Sequence, residues 1–185
     1  MRCAGGFYFE ALLIEYAMVE DRLRGFLYHS GMLLERNDNK GFGRTKNQIL
    51  MMLRQFDERK TNTSITSISA KEDVIRAMLG WYTTHEAAPE DDKYLNALWN
   101  QIDKRLDARQ VCATLEALDE WREYRNEVIH ALMSKSIDAI EEDLPLRCDQ
   151  GMALVRDMDK YVKQIKYGNY IRRAIRLKAD SGARA

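Results

Sequence analysis

From Phe7 to Arg36 the apolar residues of the chain recur every three or four positions. This spacing places them on one face of an α-helix, so the sequence predicts a long helix over that range. Elsewhere no strong strand pattern appears, and 2 Pro and 10 Gly in 185 residues are fewer turn residues than all-β chains need. The sequence therefore predicts an all-α fold. The apolar residues that form one stripe along the predicted first helix are Leu12, Tyr16, Val19, Leu23, Phe26 or Leu27, and Leu33 or Leu34.

Capping residues indicate where the later helices begin. An N-cap residue followed three positions later by Glu or Gln forms a capping box, which satisfies free amides of the first helical turn. Pro89 precedes three acidic residues and marks another start, because acids favour the positive end of the helix dipole. Asp149 is expected to open the last helix. The predicted capping boxes are Thr45 with Gln48, Ser69 with Glu72, and Asp107 with Gln110.

The spacing of these signals predicts an up-and-down helical bundle of five to six helices. Residues 60–69 are rich in Thr and Ser and are expected to form a loop, with a short strand as the alternative. The length suits one domain, which we expect over residues 1–180, with a frayed tail at 181–185. The predicted helix ends are the turn segment 37–43, His85, Ser134 and Lys178.

Charge and cysteine content narrow the class of protein. The chain has 29 basic and 29 acidic side chains, and this balance argues against a protein that coats nucleic acid non-specifically. Three cysteines in no C-x-x-C pair predict a reduced, cytoplasmic location. No group of Cys and His residues has the spacing of zinc ligands, and no glycine-rich phosphate loop is present in the sequence. We therefore expect no cofactor and no metal. Glu10 and Glu15 interrupt the apolar N-terminal run, so neither a signal peptide nor a membrane partner is expected.

Charge is unevenly distributed along the chain. Residues 107–146 carry 4 Lys or Arg and 10 Asp or Glu, whereas residues 156–185 carry 9 and 3. The simpler interpretation is two complementary or solvated helices in one bundle. The alternative is that the basic last helix supplies phosphate contacts.

The candidate functional residues of the sequence lie in the segment 120–133, EWREYRNEVIHALM. On a helical wheel, with Val111 at zero, its apolar residues share one sector with those of the preceding turns, and Arg125 falls inside that sector at about 320°. A helix that serves packing alone would carry Leu or Ala there. A guanidinium held among apolar side chains needs a partner, because an unpaired buried charge is costly. The partner can be an internal carboxylate, polar groups of a second subunit, or a phosphate, which suits the planar donors of Arg.

Asn126 and His130 flank the same sector. They are four residues apart, so they lie one turn from each other on one helix face. A histidine with a pKa near neutrality can accept and release protons.

Arg125, Asn126 and His130 resemble the R-x4-6-H motif of the HEPN superfamily, in its form with Asn after the Arg. The resemblance implies an all-α, HEPN-like bundle that dimerises through its motif helices and a composite active site made from two copies of the motif. It further implies a metal-independent endoribonuclease in which His130 transfers protons as the 2′-hydroxyl attacks phosphorus. Arg125 would bind the scissile phosphate, and Asn126 would orient one or both of these groups.

Two further features bear on this resemblance. Arg22 and Arg24, each with His29, also satisfy the loose spacing, but they lack the Asn and lie on the first helix. Some HEPN toxins carry a Tyr two residues after the His, where an antitoxin modifies them. Here that position is Leu132, which puts control by that route in doubt.

The sequence therefore predicts a cytoplasmic homodimer that cleaves RNA and acts as a toxin or in phage defence, with an antitoxin or a regulatory protein as a further partner. The alternative is a non-catalytic helical module, either antitoxin-like or a ligand-binding HEPN relative. In that alternative Arg125 pairs inside its own chain with Glu15 or Glu20 of the first helix.

Overall fold

The computed structural model describes residues 6–33, 50–51, 53–54, 65–134 and 143–175, and the regular structure within these ranges is entirely helical. The predicted all-α helical bundle is confirmed. Residues 50–51 and 53–54 are helical, as expected for the second predicted helix, whereas its capping box at Thr45 and Gln48 lies outside the described residues. The principal helices are α1 (Gly6–His29), α2 (Ile68–Thr84), α3 (Lys93–Arg105), α4 (Ala108–Ser134) and α5 (Leu144–Lys166).

α1 ends before the predicted position at Arg36. Gly31 has a φ of 85° and closes the helix. Its amide donates to the Tyr28 carbonyl at 3.1 Å, and the Met32 amide donates to the Leu27 carbonyl at 2.8 Å, which together form a Schellman motif. Met32 stays fully buried beyond the helix. The apolar periodicity therefore continues past the last helical turn, and this explains the overestimated length.

α2 begins two residues earlier than its predicted capping box. The Ser67 side chain accepts a hydrogen bond from the Ala70 amide at 3.0 Å, so Ser67 is the N-cap in place of Ser69. Ser69 and Glu72 both lie inside the helix, and Glu72 is fully buried. In the segment proposed as loop or strand, residues 65–67 are non-helical and the next two belong to α2; residues 60–64 lie outside the described part.

The predicted start of α4 at Asp107 is confirmed, whereas α3 begins at Lys93, after Asp92, and not at Pro89. Asp92 accepts hydrogen bonds from the Tyr94 and Leu95 amides at 2.9 and 3.3 Å. Asp107 does the same for Arg109 and Gln110 at 3.0 and 3.1 Å. α4 extends to Ser134, and the eight residues that follow it are outside the described ranges.

The prediction that Asp149 opens the last helix is wrong. α5 begins at Leu144 with Pro145 in its first turn, a position that tolerates the missing amide hydrogen. The C-terminal end also differs, because Gly168 and Asn169 adopt φ values of 67° and 52° and interrupt the helix. Residues 170–175 are helical again, and the predicted end near Lys178 and the tail at 181–185 lie beyond the described residues.

α1 and α5 lie side by side and run in the same direction. Near their N-terminal ends, the Cys148 thiol donates to the Tyr8 carbonyl at 3.4 Å. Farther along, Arg22 Nε lies 2.9 Å from a carboxylate oxygen of Asp159. This pair forms the most extensive helix contact among the described residues.

α4 runs antiparallel to α5. The indole of Trp121 donates to the Arg147 carbonyl at 2.9 Å, near the start of α5. The hydroxyls of Thr114 and Tyr161 lie 3.0 Å apart toward its end. The C-terminal end of α4 therefore meets the N-terminal ends of α1 and α5.

α3 packs against the C-terminal end of α5. Gln101 Nε2 donates to the carbonyls of Gln164 and Tyr167 at 2.8 and 3.2 Å, which caps the end of α5. The Tyr94 hydroxyl donates to the Ser30 carbonyl at 3.0 Å and so ties α3 to the end of α1. Among the described helices, none is both long and apolar enough to cross a membrane.

Candidate active site

Arg125 projects from α4 toward α1 and is half-buried. Its guanidinium carbon lies 4.2 Å from the centre of the Tyr16 ring, which is a cation–π arrangement. Tyr16 belongs to the apolar stripe of α1. Arg125 therefore lies on the side of α4 that faces α1, as predicted, and its neighbour there is the face of the Tyr16 ring.

The charge of Arg125 has no acidic counterpart in the described part of the chain. Its Nη1 donates to the Asn126 side-chain oxygen at 3.2 Å, and its Nε is buried without a hydrogen-bond acceptor. Glu20, one intrachain partner considered above, binds Arg24 at 2.8 Å and Lys71 at 3.2 Å. Glu15, the other, does not form an ion pair with Arg125 in the described structure.

The other arginines that match the loose motif spacing have acidic partners. Arg22 contacts both Asp21 and Asp159, at 2.6 and 2.9 Å. Arg24 pairs with Glu20 four residues earlier on α1. Arg125 therefore differs from both, because its guanidinium has no acidic partner among the described residues.

Asn126 and His130 are exposed on α4. The structure joins Arg125 and Asn126 by a hydrogen bond, whereas no hydrogen bond among the described residues links His130 to either of them. His130 lies five positions after Arg125. On a helix this spacing corresponds to a rotation of about 140° and a rise of about 7.5 Å. Within one chain, the guanidinium and the imidazole thus face different directions.

The end of the bundle that carries these residues exposes large apolar side chains. Phe7 at the start of α1 is 81% exposed, and Met133 near the end of α4 is 78% exposed. Ile14 of α1 and Leu146 of α5 are exposed at the same end. A group of exposed apolar side chains rimmed by polar residues is typical of an interaction surface.

Glu15 is buried beside Trp121 and has a side-chain oxygen without a hydrogen-bond partner. Burial, reinforced by the nearby charge of Asp149, raises the pKa of Glu15 to about 7. Gly151 of α5 makes room for it, since a Cβ there would overlap the Glu15 carboxylate and approach Trp121 Cζ2 to 2.7 Å. Glu15 is therefore adjacent in sequence to Tyr16, the aromatic partner of Arg125. Its carboxyl group is largely protonated at pH values below its pKa of about 7.

A second carboxyl group, missed from the sequence, connects α2 and α4. Glu72 is fully buried, and burial, reinforced by the nearby charge of Asp119, raises its pKa to about 8. Arg122 donates to Asp119 at 2.6 Å, and its Nη2 lies 3.7 Å from the Glu72 carboxyl. Arg76 also binds Asp119 and donates to the Leu115 carbonyl at 3.0 Å.

At neutral pH the Glu72 carboxyl keeps its proton, while Arg76 and Arg122 both bind the neighbouring Asp119 carboxylate. Glu72 lies 47 residues from Asp119 in the sequence. The spacing of Asp119 and Arg122, three residues apart on α4, indicates an ion pair between them. Nothing in the sequence indicates that Glu72 of α2 lies beside this pair.

Two grooves on the described surface lie away from the predicted motif. One, of about 260 Å³, runs between α4 and α5 beside Trp121 and Arg147. The other, of about 660 Å³, lies between α3 and residues 170–175. Arg125, Asn126 and His130 line neither groove. In the described residues no three His, Cys, Asp or Glu side chains converge as metal ligands do.

Comparison with known proteins finds no family model that matches the sequence, no similar curated protein and no similar solved structure. The described residues therefore form an all-α helical bundle with a half-buried arginine at one end that has no acidic partner among them.

Proposed function

We propose that the chain is a metal-independent endoribonuclease of HEPN type, with a composite active site at a homodimer interface formed by Arg125, Asn126 and His130 of both copies. The observation that carries the proposal is the guanidinium of Arg125. It is half-buried against Tyr16, has no carboxylate partner among the described residues, and has one nitrogen without an acceptor. A phosphate group is the ligand that its charge and donor geometry suit.

Two copies supply what one chain lacks. His130 and Arg125 face different directions on one α4, so a phosphate held by one guanidinium is reached more directly by the imidazole of a second copy. Phe7, Ile14 and Met133 are exposed on the segments of α1 and α4 at this end and offer the two copies apolar side chains to bury. Both features support a dimer built around the ends of α4.

The proposed reaction needs one base and one acid. His130 of one copy removes the proton from the 2′-hydroxyl, whose oxygen forms a bond to the adjacent phosphorus. The bond from phosphorus to the 5′-oxygen breaks, and His130 of the other copy protonates that oxygen. The products are a 2′,3′-cyclic phosphate and a free 5′-hydroxyl.

The remaining motif residues stabilise this reaction. Arg125 neutralises the charge that develops on the phosphoryl oxygens. Asn126, already hydrogen-bonded to Arg125, fixes the guanidinium and supplies an amide to the same phosphate. In the cell we propose the role of a cytoplasmic toxin or phage-defence nuclease that an antitoxin or regulatory protein holds inactive.

The test is incubation of the purified protein with total RNA in EDTA. We expect cleavage products with cyclic phosphate ends, and a loss of about 100-fold or more in Arg125→Ala and His130→Ala. Arg109→Ala and His85→Ala are matched controls, since they remove the same residue types elsewhere on the surface. Equal cleavage by all four variants would remove the proposal.

A non-catalytic module remains the competing function. It predicts no cleavage by the wild-type protein under any of these conditions, while the homodimer persists in sedimentation. The intrachain salt bridge to Glu15 or Glu20 that would favour this module is not found in the described structure.

A further inference from the structure

The larger groove lies at the end of the bundle opposite Arg125. It runs between α3 and residues 170–175 and has a volume of about 660 Å³. Along α5 this is about 30 Å from the level of Arg125, at 1.5 Å per helical residue. A ligand here is therefore distinct from the phosphate at the proposed active site.

The charged residues lining this groove are all cations. Lys104 and Arg105 come from the last turn of α3, and Arg173 comes from the helical segment across the groove. All three are exposed, and no acidic residue is among the lining residues. In a chain of zero net charge, three unopposed cations around one groove fit an anionic ligand.

The neutral residues of the groove offer contacts to bases. Asn96 and Asn100 line it with their amide groups, and Asn100 Nδ2 donates to the Asn96 side-chain oxygen at 3.2 Å. Tyr170 lines the other side and is 54% exposed. Amides and exposed tyrosine rings are the groups with which proteins hydrogen-bond and stack unpaired bases.

The backbone fixes the orientation of Tyr170. Gly168 and Asn169 are both in the left-handed region, which ends α5 and starts the next helical segment. A Cβ at Gly168 would come within 2.7 Å of the Tyr170 ring, so the ring packs directly on the glycine. Beside it, the Arg105 guanidinium lies 3.9 Å from the centre of the exposed Tyr167 ring.

We propose that this groove binds single-stranded RNA, with phosphates on Lys104, Arg105 and Arg173 and a base stacked on Tyr170. The choice of RNA among polynucleotides rests on the proposed nuclease function. A single strand is favoured over a duplex because stacking on an exposed tyrosine needs an unpaired base. The groove is then a docking site that holds substrate away from the reacting phosphate.

The test measures binding without cleavage. Full-length His130→Ala protein is titrated into a fluorescein-labelled single-stranded RNA of about 12 nucleotides, and anisotropy gives Kd. The Lys104→Gln/Arg173→Gln double variant is compared with Lys163→Gln/Arg109→Gln, which removes the same charge from exposed positions outside the groove. We expect Kd to rise about tenfold or more in the groove variant and less than about twofold in the control.

Salt dependence and stacking supply independent measurements. The slope of log K against log salt should fall by about 1.4 in the groove variant, since each phosphate contact on a single strand contributes about 0.7. Tyr170→Ala should weaken binding about fivefold or more, and Tyr170→Phe should retain it. If the charge variants unfold, as circular dichroism would reveal, the two Tyr170 variants still decide the question.

Equal binding by groove and control variants overturns the proposal, as does equal affinity for an RNA duplex of the same length. Failure of the nuclease proposal is distinguishable from this outcome. In that case the His130→Ala protein still binds RNA through the groove, while the wild-type protein leaves the RNA intact.

Discussion

The guanidinium of Arg125 lies over the face of the Tyr16 ring, with 4.2 Å between its central carbon and the ring centre. This contact joins α4 to α1 without neutralising the cation. An aromatic face attracts the charge through its quadrupole but leaves the guanidinium edge free to donate hydrogen bonds. Arg125 can therefore contribute to packing and still bind an anion.

The Arg125–Tyr16 contact should appear as an energetic coupling. Tyr16→Leu and Arg125→Met each remove the interaction while they keep apolar bulk, and a double-mutant cycle by urea unfolding should give a coupling free energy of about 0.5–1 kcal/mol. Tyr16→Phe keeps the ring and should retain the coupling. Strict additivity of the Leu and Met substitutions would show that the two side chains do not interact.

Glu72 should make stability fall as pH rises. Its folded pKa of about 8 lies above its ordinary value of 4.5, so between these pH values the folded state keeps a proton that the unfolded chain has released. The free energy of unfolding therefore decreases by up to about 1.4 kcal/mol per pH unit across this window, and the contribution is fully present only below pH 4.5.

Glu72→Gln removes this titration and keeps the shape of the side chain. The difference in unfolding free energy between wild type and this variant, measured by urea titration from pH 5 to about 9, should shift in favour of the variant as pH rises. Glu116→Gln, on the exposed face of α4, is the matched control and should show a constant difference. A constant difference for Glu72→Gln as well would mean that Glu72 is not protonated in the folded protein.

Gly151→Ala should destabilise the protein although Gly151 lies inside a helix. Alanine at an open helical position is more favourable than glycine by up to about 1 kcal/mol. Here the added Cβ overlaps Glu15 and crowds Trp121, so we expect a loss of about 1–3 kcal/mol in thermal or urea unfolding. The double variant with Glu15→Ala should recover part of the loss. An increase in stability for Gly151→Ala alone would contradict the described packing of Glu15.

Lys71 is fully buried and depends on Glu20. Its ammonium donates to Glu20 at 3.2 Å and to the carbonyls of Thr66 and Ser67 at 2.9 and 3.2 Å. Burial lowers the pKa of Lys71, while the Glu20 carboxylate opposes that effect. Glu20→Ala should therefore cost about 2–4 kcal/mol of stability, because it leaves the ammonium buried without a counter-charge.

The double variant Glu20→Ala/Lys71→Met separates the ion pair from simple packing. Because it removes both charges, it should be more stable than Glu20→Ala alone in urea unfolding. Glu10→Ala, at an exposed position on α1, serves as the control and should change little. If Glu20→Ala behaves like Glu10→Ala, the buried ammonium does not need the carboxylate.

Local interactions explain which helix boundaries were predictable. Asp107 caps amides two and three residues away, so its position in the sequence suffices to mark the start of α4. The end of α1 was missed because buried residues continue the helical spacing beyond Gly31. The start of α5 was misplaced because Asp149 has the residue type of a cap but lies in the second turn.

The candidate site, like the helix boundaries, was predictable from the sequence only where it depends on local interactions. The inward location of Arg125 follows from the periodicity of α4, which is a local property. Its aromatic neighbour Tyr16 and the pairing of Glu72 with Asp119 depend on how distant helices pack, which a single sequence does not encode in its spacing. The groove at Tyr170 likewise depends on a backbone turn at Gly168 that brings α3 and the next helical segment together.

The parallel pairing of α1 with α5 has a consequence for biosynthesis. Tyr8 and Cys148 are in contact but 140 residues apart, so a translating ribosome needs about 7–28 s after adding Tyr8 before it adds Cys148. During that interval the apolar stripe of the first helix lacks its largest partner. Nascent chains stalled before α5 should therefore bind chaperones or aggregate, whereas chains released after α5 should not.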